Sequence, residues 1–78
     1  MKVQVLGTGC PKCKKLTANA ERAVENAGME AEVVKIDKLP EIMEFGVMTT
    51  PALAIDGEVK VSGKVASVEE IEAILAGA

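Results

Sequence analysis

The chain has 78 residues and a formal net charge of -3, so it is expected to form one small domain, residues 1–78, with no electrostatic reason to bind nucleic acid or an anionic membrane. An apolar fraction of 49% beside 27% charged residues argues for a packed core over disorder, and with Phe45 the sole aromatic side chain that core must rest on Val, Ile, Leu, Met and Ala. No apolar run approaches the roughly 20 residues of a membrane span, and Lys12, Lys14 and Lys15 stand where a secretory signal would need an apolar stretch, so a cytoplasmic protein is expected.

The alternating run Val3-Gln4-Val5-Leu6 predicts a first strand from about Lys2 to Leu6. Directly after it, Gly7-Thr8-Gly9-Cys10-Pro11-Lys12-Cys13 carries both cysteines of the chain, and an amphipathic pattern follows. Pro11 suits the first position of a helix, where its missing N–H costs nothing and its fixed φ already fits. Cys10 therefore falls near the N-cap, and Cys13 one turn inside. The positive end of a helix stabilises an anion there, which favours the thiolate of Cys10, with a modest, salt-sensitive contribution from the three nearby lysines. The spacing also brings the two sulfurs within disulfide reach. Gly7 and Gly9 are expected to permit the tight turn.

The first helix is predicted from Pro11 to Ala27, with Cys13, Leu16, Ala20, Ala23, Val24 and Ala27 on one face and Gly28 closing it. Ala31 to Ile36 reads as a second strand, parallel to the first because a helix lies between them. Asp37 offers an N-cap for a short helix through Leu39, Ile42, Met43 and Phe45, ended by Gly46. Thr50-Pro51 then leads into the apolar strand Ala52 to Ile55. Asp56-Gly57 is a two-residue hairpin signal, returning Glu58 to Val61 as an antiparallel edge strand. Ser67 and Glu70 form a capping box for a closing helix that buries Val68, Ile71, Ile74 and Leu75. The order is β-α-β-α-β-β-α. Lysine on the edge strand gives no hint of open-ended pairing, so a monomer is expected.

In a reducing compartment a C-x-x-C pair is more often catalytic or metal-binding than structural. With no histidine and no third cysteine, one copy of the chain cannot furnish the four ligands of a closed zinc site. Two thiolates after a first strand would still suit Cu(I), which keeps a soft-metal carrier as the alternative function. The element order disfavours it, since such carriers run β-α-β-β-α-β, whereas this chain closes on a helix. A dinucleotide reading of Gly7-x-Gly9 fails because Lys12 occupies the place of the third glycine.

Taken together, strand-Cys10-Pro11-Lys12-Cys13-helix, Phe45-Gly46-Val47 leading through Thr50-Pro51 to a strand, the Asp56-Gly57 hairpin, Gly63 and the closing helix resemble the small, glutaredoxin-like thioredoxins of prokaryotes over nearly the whole chain. The resemblance implies an α/β thioredoxin-like fold, a four-stranded mixed sheet with three helices. It implies a thiol-disulfide oxidoreductase that reduces protein disulfides, with a redox-active Cys10-Cys13 disulfide and no bound cofactor or metal. Cys10 would attack the substrate disulfide and Cys13 would resolve the mixed disulfide. Pro51 would be cis and face the cysteines, Thr50 would offer its backbone to an extended substrate, and Lys12 would steady the thiolate. Gly9 stands where thioredoxins carry tryptophan, Lys12 where glutaredoxins carry tyrosine, and the acidic pair that helps hold glutathione has no clear match. Both glutathione and a flavin-dependent thioredoxin reductase therefore stand as the reductant.

Overall fold

The computed structural model describes residues 1–7, 11–28, 30–47 and 50–77. Among these residues the chain runs β1 (Lys2–Leu6), α1 (Pro11–Ala27), β2 (Glu32–Ile36), α2 (Leu39–Glu44), β3 (Ala52–Ile55), β4 (Glu58–Ser62) and α3 (Val68–Gly77). This is the predicted order, with strand ends moved by a single residue. The strands form one sheet in the order β2-β1-β3-β4. β1 pairs with β2 in parallel, as a helical crossover requires, and antiparallel with β3, while β3 and β4 form the hairpin.

Alternation along the strands separates two apolar layers. On one face Val3 and Val5 of β1 and Leu53 and Ile55 of β3 pack with Leu16, Ala20 and Ala23 of α1 and Ile71 and Leu75 of α3. On the other, Leu6, Ala52 and Ala54 meet Ile42 of α2. Small side chains let the helices approach the sheet closely, which is how a chain with a single aromatic residue fills its interior. α1 is tied to the segment before α3 by Asn19, whose Nδ2 donates to the Ala66 carbonyl at 2.9 Å.

The turn chemistry follows the sequence closely. Asp56 and Gly57 both take positive φ, 48° and 87°, as a two-residue hairpin turn of this hand demands. The Asp56 side chain accepts from the Lys2 N–H at 2.8 Å, and Gln4 Oε1 accepts from the Gly57 N–H at 2.7 Å, so β1 braces the hairpin. The capping box is present in both directions: Ser67 Oγ accepts from the Glu70 N–H at 3.1 Å, and Glu70 Oε1 from the Ser67 N–H at 3.3 Å.

Three expectations need correction, and β4 departs from simple alternation. The residue preceding α2 is Lys38, not Asp37, and it makes no side-chain cap; Pro40 in the first turn sets the helix start one residue later. The apolar stripe of α1 ends early, since Ala27 is exposed at the last turn and Val24 only half-buried, while Thr17 is buried on that face. In α3, Ile71 and Leu75 are buried, but Val68 and Ile74 only partly so. On β4, strict alternation would put Val59 and Val61 on one side of the sheet. Instead the register passes from Leu53↔Val61 to Ala54↔Val59, leaving Lys60 as the extra residue of a bulge. Val61 consequently joins the first layer and Val59 the second.

Candidate active site

The predicted site gathers where β1 ends and α1 begins. Gly7 follows the strand directly, and its N–H donates to the Ile36 carbonyl at 3.0 Å, which ties this end of β1 to the end of β2. Pro11 opens α1 and is exposed, as is Lys12 beside it. Cys13 comes one turn later on the inward face, only 4% exposed. Thr8, Gly9 and Cys10 lie outside the described residues, so the expected placement of Cys10 at the helix N-cap and its reach to Cys13 have no structural counterpart here.

Thr17 is the one polar side chain buried on the α1 face, and its hydroxyl donates to the Cys13 carbonyl at 2.9 Å. This satisfies a group that burial would otherwise leave unpaired and adds a bond across the turn that carries the cysteine.

Pro51 reaches the site from a distant part of the chain. The Thr50-Pro51 peptide is cis, as the resemblance implies; Pro51 is buried, and its carbonyl accepts from the Gly63 N–H at 2.9 Å. β1 and β3 are paired through Leu6↔Ala52, and Gly7 directly follows this last pair on one strand as Pro51 directly precedes it on the other. Thr50 is exposed next to it.

Two openings flank this junction. A small pocket of about 180 Å³ is lined by Gly7, Cys13, Lys14, Thr17, Lys35 and Asp37, so that the end of β2 brings one carboxylate and one ammonium to the side of the cysteine. A wider groove of about 500 Å³ runs along Leu39, Ile42, Met43, Gly46, Val47 and Thr50. Leu39 and Met43 are 59% and 68% exposed, an unusual display for large apolar side chains on so short a helix. Cys13 thus lines the small pocket and Thr50 the wider groove, while Pro51 is buried just before β3 and Lys12 is exposed on α1. Sequence reasoning missed Thr17, Lys35 and Asp37. A threonine one turn after a buried cysteine was the available signal for the first, and the parallel β1-β2 pairing for the other two.

Gly7 is placed differently from the expectation. Its φ is not in the left-handed region, and a Cβ at this position would clash with Cys13 Sγ. The glycine is needed for a close approach and not for the conformation of the turn.

Residues 1–76 match the family model described as Thioredoxin domain. A thioredoxin of Methanothermobacter thermautotrophicus is 49% identical over 75 residues, covering 96% of this chain and 97% of the relative. A thioredoxin of Methanocaldococcus jannaschii is 44% identical over 70 residues, covering 90% of this chain and 80% of the relative. The resemblance read from the motifs and the fold is borne out, and these relatives lend the soft-metal alternative no support.

Proposed function

We propose, for a chain that belongs to the thioredoxin family and is a thiol-disulfide oxidoreductase acting on protein disulfides with the help of a reductant, that Cys10 is the attacking thiol and Cys13 the resolving one. The observation that carries this is the burial of Cys13 on the first turn of a helix opened by Pro11. A resolving thiol has to be kept from solvent oxidants and from competing targets, while the attacking thiol has to meet a macromolecular substrate.

The exchange balances in two displacements. The Cys10 thiolate attacks one sulfur of the substrate disulfide, forming a Cys10-substrate disulfide and expelling the first substrate thiolate, which takes up a proton. Cys13, giving up its proton, then attacks Cys10 Sγ; the Cys10-Cys13 bond forms and the second substrate thiolate leaves. The substrate gains two electrons and the protein is left as its disulfide. A flavin-dependent reductase or another thiol reductant returns those electrons, and no resident cofactor takes part. Thr50, exposed beside Pro51, presents its backbone to an extended substrate segment, Pro51 packs behind that segment, and Lys12 supports the thiolate from the helix surface. The protein works as a single domain and a monomer in the reducing cytoplasm, with neither nucleic acid nor membrane as partner.

The test is a trap. Cys13→Ser, incubated with a peptide containing one disulfide, should accumulate a covalent adduct that mass spectrometry maps to Cys10, whereas Cys10→Ser should accumulate none. An adduct that forms equally on either variant would remove the assignment of roles.

A further inference from the structure

Glycine after a strand usually supplies backbone freedom, yet Gly7 differs in this respect from Gly28, Gly46, Gly57 and Gly63, all of which have positive φ. Its backbone conformation is open to other residues; its missing side chain is what the fold uses. A Cβ on Gly7 would clash with Cys13 Sγ and stand 3.0 Å from Cys13 Cβ.

The backbone on both sides is held in place. The Gly7 N–H is bound to the Ile36 carbonyl at 3.0 Å, and Leu6 immediately before it is fully buried. On the helix side, Thr17 closes the turn of Cys13 at 2.9 Å, and Leu16 and Ala20 are fully buried against the sheet. The sulfur can leave the clash only by turning about its Cα–Cβ bond, where one of the three staggered positions is rare in a helix, and the Cβ contact is the same in all of them.

We propose that Gly7 is a positioning residue for the second displacement: the space left by its absent Cβ is the seat of the Cys13 sulfur. This rests on the assignment of Cys13 as the resolving thiol. In that displacement the Cys13 thiolate forms a bond to Cys10 Sγ while the Cys10-substrate bond breaks and its electron pair departs with the substrate sulfur. The three sulfurs must stand nearly in line, and a misplacement of about 1 Å can cost a reaction on the order of a hundredfold. A methyl group at position 7 displaces the sulfur that attacks and leaves the first displacement, made by Cys10, intact.

Dithionitrobenzoate separates the two steps, because its two halves are coloured when released as thiolates. Attack by the first thiol frees one half, and resolution frees the other. Reduced wild-type protein should release both, and Cys13→Ser only one. Gly7→Ala should release the first half within twofold of the wild-type rate and the second at least tenfold more slowly. A second release at the wild-type rate overturns the proposal. If Cys13→Ser still releases both halves, the assignment of Cys13 has failed and the role of Gly7 falls with it. Thermal unfolding supplies an independent check: the loss of midpoint caused by Gly7→Ala should be at least halved in a Cys13→Ala background, which still folds. An equal loss in both backgrounds, or failure of both to fold, overturns the proposal.

Discussion

Leu16 follows the Cys13 turn on α1 and is fully buried among Val5, Leu53, Ile71 and Leu75. Leu16→Ala removes about three carbons from this layer, a transfer loss of about 2.4 kcal/mol at ~0.8 kcal/mol per methylene. The cavity left between α1 and the sheet adds to it, since the surrounding side chains belong to three different elements and cannot all close in; a total of about 3 to 4 kcal/mol follows. A chain of this length has a total stability of roughly 4 to 12 kcal/mol, so the variant loses a large share of it. At about 4 to 8 °C per kcal/mol, the unfolding midpoint should fall by at least ~12 °C. With neither Trp nor Tyr in the chain, far-ultraviolet circular dichroism in a denaturant series is the suitable assay. Met43→Ala, which trims a side chain 68% exposed on α2, is the control and should change stability by less than about 0.5 kcal/mol. A Leu16→Ala cost below about 1 kcal/mol, or one no larger than the control's, would refute the placement of α1 on the sheet.

Two further outcomes test the turn and the cap. Gly57 sits at φ 87°, so Gly57→Ala should destabilise the protein by about 1 to 2 kcal/mol, measured by the same denaturant series, and a neutral result would argue against the hairpin turn. The Glu70 carboxyl is held below its ordinary value of 4.5, first by the hydrogen bond from Lys64 and then by the Ser67 backbone. A carboxyl whose pKa is depressed by folding contributes its stabilisation in full above the unfolded value and loses it as pH falls through the folded one. The stability difference between wild type and Glu70→Gln should therefore be present near pH 7, small because the group is exposed, should fade as pH drops past the ordinary carboxyl value, and should vanish once the carboxyl is protonated in the folded state as well. A difference that stays flat through the acid range would show that the cap does not titrate with folding.

Most of the architecture is legible in the residues because local and tertiary signals agree. Pro11 and Gly28 delimit α1, Ser67 and Glu70 start α3, and Asp56-Gly57 turns the hairpin, each through backbone chemistry that needs no distant partner. What escapes the sequence depends on contacts between elements far apart in the chain. The bulge at Lys60 arises from how β4 is shared between two apolar layers, which alternation along a single strand cannot reveal. The start of α2 at Leu39 follows from Pro40, a choice that Asp37 outweighed on capping preference alone. At the site, the C-x-x-C spacing and the Thr50-Pro51 dipeptide indicate the chemistry, and Thr17 lies one turn after Cys13 on the same helix, but Lys35 and Asp37 come to Cys13 only through the crossover that sets β2 beside β1. Gly7 was legible as a glycine required at that position; that the requirement comes from the sulfur of Cys13 needed coordinates.

The most direct test of the central claim is an equilibrium titration of the Cys10 and Cys13 thiols against a defined thiol redox buffer in the presence of a chelator, with Cys10→Ser and Cys13→Ser as controls. A reversible two-electron couple at or below about -220 mV, lost in both variants, is the predicted result, and it is the potential expected of a carrier fed by a cytosolic reductant. Failure of an intramolecular disulfide to form at any buffer potential would contradict the account.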